Sequence, residues 1–145
     1  MDLKVQKRGV ALILFLGLLL TGMVLAASSP AAPLGTAHVR SIDEAAAFLA
    51  AWGWECITEQ GESKETVLPT EFDETFIAYN SIQLKQGCDL TKYAGKTVTV
   101  YSIPISNYNS TENVWGTLIV FRSTVIGGDI HSASMDGFLH GLKAE

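Results

Sequence analysis

VWGTLIVFRSTVIGGDIHS, running from Val114 to Ser132, decides how this chain folds. Its two halves, VWGTLIVFR and TVIGGDIHS, are rich in the β-branched and apolar residues that suit strands. The polar pair Arg122-Ser123 stands between them, so the chain reverses tightly there and the halves lie antiparallel. Upstream, TVTVYSIPIS (Thr97–Ser106) alternates and reads as a further strand, joined through the turn NYNSTEN. Within that turn Asn109-Ser110-Thr111 matches a glycosylation sequon and is read as turn chemistry. The three strands make an antiparallel meander. Pro104 has no backbone N–H to give a ladder, which predicts an edge position or a bulge.

Two helices precede the meander. SIDEAAAFLAAWGW (Ser41–Trp54) opens with Ser41 as a cap and Glu44 three residues on. Ala45, Phe48, Leu49 and Trp52 then follow helical spacing, and Gly53 suits the left-handed position past the end. PTEFDETFIAYNSIQLKQG (Pro69–Gly87) restarts a helix, with Thr70 as the expected cap and acids in the first turn, where the helix dipole favours them. Phe72, Phe76, Tyr79 and Gln83 share a face, read as core. Between the helices, WECITE and KETVLP read as the arms of a small hairpin around Gly61-Glu62-Ser63. The predicted fold class is α+β, with both helices covering one face of a small antiparallel sheet made of the hairpin and the meander.

The N-terminus carries a different signal. Lys4, Lys7 and Arg8 precede GVALILFLGLLLTGMVLA (Gly9–Ala26), eighteen residues without a charge, and Val24 and Ala26 fit a small-residue cleavage pattern. Spanning a bilayer takes about 20 apolar residues, so residues 1–27 read either as a cleaved signal peptide or as a retained membrane anchor. Residues 28–40 read as a flexible linker of small residues and proline, and residues 41–145 as a single exported domain. Past Ala26 there are seven Lys+Arg against fourteen Asp+Glu, an acidic balance that argues against nucleic acid and against docking on anionic lipid. Cys56 and Cys88 are the only cysteines. In an exported chain they form either a disulfide or two separate buried thiols, and neither belongs to a CxxC motif.

Taken together, FLAAWGWE, FIAYNSIQLKQGCDLTKYAGKTVTVY, SNY, LIVFRSTVIGGDIHS and DGFLHGL resemble a family of bacterial extracytoplasmic domains, mostly from Gram-positive species, called domain of unknown function 4830. The resemblance covers Ile42 to Leu142. It implies a secreted or tethered single domain and supplies no catalytic or binding residues.

Chemistry has one candidate stretch, VIGGDIHSASMDGFLHGL (Val125–Leu142). Asp129 and His131 sit two apart on a strand and face the same way, while Asp136 and His140 would share a face of a helical turn. Convergence of the four would make a zinc site with an open position, the basis of a small metal-dependent hydrolase. The plainer reading makes Gly127-Gly128 a bulge or sharp bend in a strand, Asp129 a partner for backbone donors there, and Phe138, Leu139 and Leu142 a closing cover for the core. GxSxG, HExxH and P-loop motifs are absent from the sequence. Trp54, Tyr101 and Trp115 would offer a contact patch if they stood exposed, and core volume if they did not. The expected function is a non-enzymatic binding module, without a cofactor, that meets a protein or cell-envelope component outside the membrane.

Overall fold

The computed structural model describes residues 32–110 and 112–144. The apolar segment read as signal or anchor, and the start of the linker, lie outside the described residues. Among those described, no helix is long and apolar enough to cross a membrane. A five-stranded sheet runs in the order β1 (Glu62–Val67), β2 (Thr97–Ile105), β3 (Val114–Phe121), β4 (Thr124–Ser132), β5 (Leu139–His140), and every neighbouring pair is antiparallel. The β3–β4 reversal falls on Arg122 and Ser123, with φ of 47° and 69°. Positive φ at both positions gives the mirror-image turn whose twist matches the flanking strands.

The hairpin expected around Gly61 does not form. KETV belongs to β1, which pairs with β2, and WECITE supplies no strand to receive it. Instead Cys56 bridges Ile105 at the far end of β2, on the line that β1 continues. A 3-10 turn, Thr58–Gln60, separates the two pairings. Pro104 accounts for the turn. Its carbonyl accepts from the Ile57 N–H at 2.9 Å, but it has no N–H to return. The Ile57 carbonyl accepts from the Gln60 N–H instead, at 3.1 Å, and that bond closes the 3-10 turn. Pro104 therefore sits in an internal strand, contrary to the edge expectation, at the point where the neighbouring strand breaks.

Helix α1 (Ile42–Ala51) starts as predicted: Ser41 Oγ accepts from the Glu44 N–H at 3.1 Å. The Glu44 carboxylate reaches back to the Arg40 N–H at 2.8 Å, one residue beyond a capping box. Gly53 ends the turn at φ 97°. Helix α2 (Glu74–Lys85) is capped by Asp73, not Thr70, with Asp73 Oδ1 accepting from the Phe76 N–H at 2.8 Å.

The two helices lie on opposite faces of the sheet, which corrects the single covered face expected from sequence. Tyr101 and Ile103 of β2, Leu118 and Val120 of β3 and Ile130 of β4 pack with Ala45, Phe48 and Leu49 of α1. Val98, Ile119 and Ile126, with Val100 and Phe121, face the other way and meet Leu90 and Phe72, Phe76 and Tyr79 on the α2 side. The reason lies in β3, whose run of apolar residues fills both faces and so needs cover on both.

The outer edge of β4 is closed along its length. Gly35 and Ala37 exchange backbone bonds with Val125, the Phe138 carbonyl takes the Ser132 N–H, and β5 pairs with Ile130 and His131. Between these, two side chains of α2 take the place of a strand at Gly128. Gln83 Oε1 accepts from the Gly128 N–H at 2.9 Å, and Gln86 Nε2 donates to the Gly128 carbonyl at 3.0 Å. Gln86 Oε1 in turn accepts from the Leu142 N–H at 2.7 Å. Glycine at 127 and 128 allows the approach. A Cβ on Gly127 would lie 3.0 Å from Gln83 Oε1, and one on Gly128 would lie 2.7 Å from the Thr117 carbonyl. The pair is thus a place of close packing within β4; of the bulge or bend expected there, the structure has a bulge, one residue earlier at Ile126.

Candidate functional site

Alternation along β4 turns Asp129 and His131 toward the α2 face. Tyr79 of α2 reaches down to them, its hydroxyl donating to Asp129 Oδ2 at 2.5 Å. The other carboxylate oxygen, Oδ1, lies 2.7 Å from His131 Nδ1. Asp129 is buried while the His131 side chain keeps 32% of its exposure. The result is a chain from helix to strand to solvent: the carboxylate fixes the imidazole through Nδ1, and no described residue bonds Nε2. The hydrogen bond to Asp129 and its charge raise the His131 pKa above the ordinary value, against the effect of burial. Burial, then the nearby Asp129 charge, push the Tyr79 hydroxyl well above its ordinary range, so it remains a donor.

Across the strands His131 stands in a row. It pairs with Leu139 of β5 on one side and Trp115 of β3 on the other, and Trp115 pairs with Pro104 of β2. Leu139 is 43% exposed, and Trp115 is half-buried. The next row inward holds Asp129, Thr117 and Ser102. An aliphatic, an imidazole and an indole therefore lie side by side on strands, with hydroxyls and the Tyr79–Asp129 pair behind them.

The four acids and histidines considered for zinc do not meet. His140 pairs with Ile130, and His131 with Leu139, so the register sends the two histidines to opposite faces. His140 Nδ1 bonds to the Gly141 carbonyl at 2.6 Å and Nε2 to the Tyr108 hydroxyl at 2.8 Å. Its ring stacks on Phe138, with Tyr108 and Trp54 beyond. Asp136 stands exposed in a turn before β5, where the helical turn was expected. Among the described residues no three His, Cys, Asp or Glu side chains are grouped as a metal site requires. Asp129 satisfies a tyrosine and a histidine, not the backbone donors the sequence suggested.

Cys56 and Cys88 are both free thiols. Cys56 packs against the α1-side core, and Cys88 lies beside Tyr93 and Ile126 on the α2 side, so of the two alternatives the structure has the separate thiols and not the disulfide. Burial pushes the Cys56 thiol up to about 11 and raises that of Cys88. Of the contact aromatics, Trp54 and Tyr101 are buried and only Trp115 is partly open. Trp54 Nε1 donates to the Leu142 carbonyl at 2.7 Å and so anchors the C-terminal stretch.

Sequence reasoning placed Tyr79 and Gln83 on a core face and did not see their roles. A glutamine at a core position of an amphipathic helix was the available signal, because a buried amide needs partners.

The architecture defines a class: a small α+β domain in which an antiparallel meander carries one helix on each face. The chain belongs to the family Domain of unknown function (DUF4830), whose model matches residues 48–130, from within α1 to within β4. No curated protein and no solved structure matches it.

Proposed function

We propose that the chain is a non-enzymatic binding module of the bacterial cell envelope, exported and either released or tethered by its apolar N-terminal segment. Its partner, a protein or envelope component, meets the row Leu139–His131–Trp115. One observation carries the reading: the only titratable side chain in this exposed row is held rigid from behind, by Asp129 and through it by Tyr79 of α2. Partly open aromatic and aliphatic side chains beside an oriented polar group are the usual composition of a contact surface. The cross-strand neighbours of His131 are Trp115 and Leu139, side chains that contact a partner and are not nucleophiles, which favours the binding reading.

Photo-crosslinking in the native host tests this. A photoreactive amino acid at Leu139 is expected to give a discrete adduct that Trp115→Ala abolishes. The same group at Glu65, on the opposite edge strand, is expected to give none. Equal background from both positions, or an adduct indifferent to Trp115→Ala, would defeat the proposal.

A further inference from the structure

A second site lies on the other face of the sheet. A cleft of about 640 Å³ opens between the start of α1 and the strand edge formed by the 3-10 turn and β1. Tyr101 lines it, with its ring in the α1-side core and only 7% of the residue exposed. No described residue hydrogen-bonds its hydroxyl, and Tyr101 forms part of the cleft wall. Ser63 is its cross-strand partner and brings a second hydroxyl to the same wall. Gly61 lets α1 begin there: a Cβ at that position would lie 2.6 Å from Ile42 Cγ2.

The helix start leaves donors free. Ser41 takes the Glu44 N–H through its side chain and the Ala45 N–H through its carbonyl. The N–H groups of Ile42 and Asp43 have no partner among the described residues. Free N–H groups at a helix start, together with its dipole, attract negative charge. Arg40 stands at the same mouth, without an ion pair among the described residues.

We infer that this cleft binds a small ligand carrying an oxyanion, either carboxylate or phosphate. The Ile42 and Asp43 N–H groups and the Arg40 guanidinium take the charge, and the Ser63 and Tyr101 hydroxyls donate to it. The carboxylates of Asp43 and Glu59 at the rim repel a densely charged polymer. They select a ligand whose only negative group is that oxyanion and whose remainder is neutral or carries an amine. The site is separate from the His131 row, which occupies the opposite face.

The test is a titration of the full chain, nitrogen-15 labelled, with sodium phosphate and separately with sodium acetate, against sodium chloride at matched ionic strength. Saturable shifts of the Ile42 and Asp43 amides are expected, with dissociation constants in the millimolar range. The tighter of the two anions names the class. Arg40→Gln is expected to weaken binding about tenfold, the scale of one lost charge-assisted bond. Tyr101→Phe keeps the ring in the core and is also expected to weaken it. Lys92→Gln, which removes an equal charge on the α2 side, leaves binding unchanged. Saturation by neither anion would overturn the inference, as would equal shifts with chloride or wild-type affinity in both Arg40→Gln and Tyr101→Phe.

Discussion

Single residues set the local geometry here, and several do so by what they lack. Pro104 lacks an N–H, and the carbonyl it leaves unpaired nucleates the 3-10 turn that interrupts the strand beside it. Ser123 lacks the freedom of glycine yet sits at φ 69°, a conformation costing about 1–2 kcal/mol for a residue with a Cβ. Ser123→Gly is therefore expected to raise stability by about 0.5–1 kcal/mol, after allowing for the larger entropy that glycine loses on folding. Arg122, whose guanidinium lies 5.1 Å from the Phe121 ring centre, stays in place in that variant. A denaturant midpoint at or below wild type would show that the turn stores no strain. The thiols give a second residue-scale expectation. With a Cys56 pKa of about 11 and Cys88 raised as well, both remain protonated at neutral pH. Ellman titration of the unreduced chain should find two thiols in denaturant, and both should react slowly under native conditions. A chain with no titratable thiol in denaturant would contradict the separation of the two cysteines.

At the scale of elements, the sequence was legible where one residue type carries one conformational meaning. Ser41 caps α1 and Gly53 ends it, β3 and β4 reverse at Arg122-Ser123, and Thr97–Ile105 forms a strand as its alternation indicated. Thr70 was a fair cap by type, but Asp73 lies one position before the helix and took the role. WECITE failed as a strand because its fate depends on Pro104, nearly fifty residues away, whose effect on a neighbour no local pattern records. The helix faces failed for a similar reason, since amphipathicity says that a helix has an inner side and not which side of a sheet receives it. In α2 the inner side includes Gln83 and Gln86, whose amides replace a missing strand at Gly128. Gln83→Ala is expected to cost about 1–3 kcal/mol, because the Gly128 N–H is left buried and unpaired. Gln86→Ala is expected to cost a similar amount, and the double variant less than their sum, because both amides serve one strand position. Strict additivity in denaturant unfolding would mean that the two glutamines act independently.

For the whole molecule, the Tyr79–Asp129–His131 chain fastens α2 to the sheet and couples that fastening to pH. The native pKa of His131 is raised by Asp129 above the unfolded value of about 6.5, so the folded chain holds the proton more tightly. Its contribution is complete below the unfolded pKa and is lost as pH rises through the native one. The stability difference between wild type and His131→Gln is therefore expected to be largest on the acid side and to shrink toward alkaline pH. The part-exposed position of His131 keeps the effect modest. A difference that stays constant across the range would remove the coupling. Little of this was legible beforehand: the spacing of Asp129 and His131 showed that they share a face, but Tyr79 enters from fifty residues upstream. The two borders of the sheet carry one more consequence. Every residue of β1 is exposed, its partners lie on one side only, and its sequence is mostly charged and polar. The opposite border is occupied by chain and by glutamine side chains. A folded copy that joined another through β1 would present to a third, among the described residues, only the outer side of the two-residue β5 and of the short segment paired with Val125. Strand-on-strand growth past a pair therefore finds only a short ladder to join.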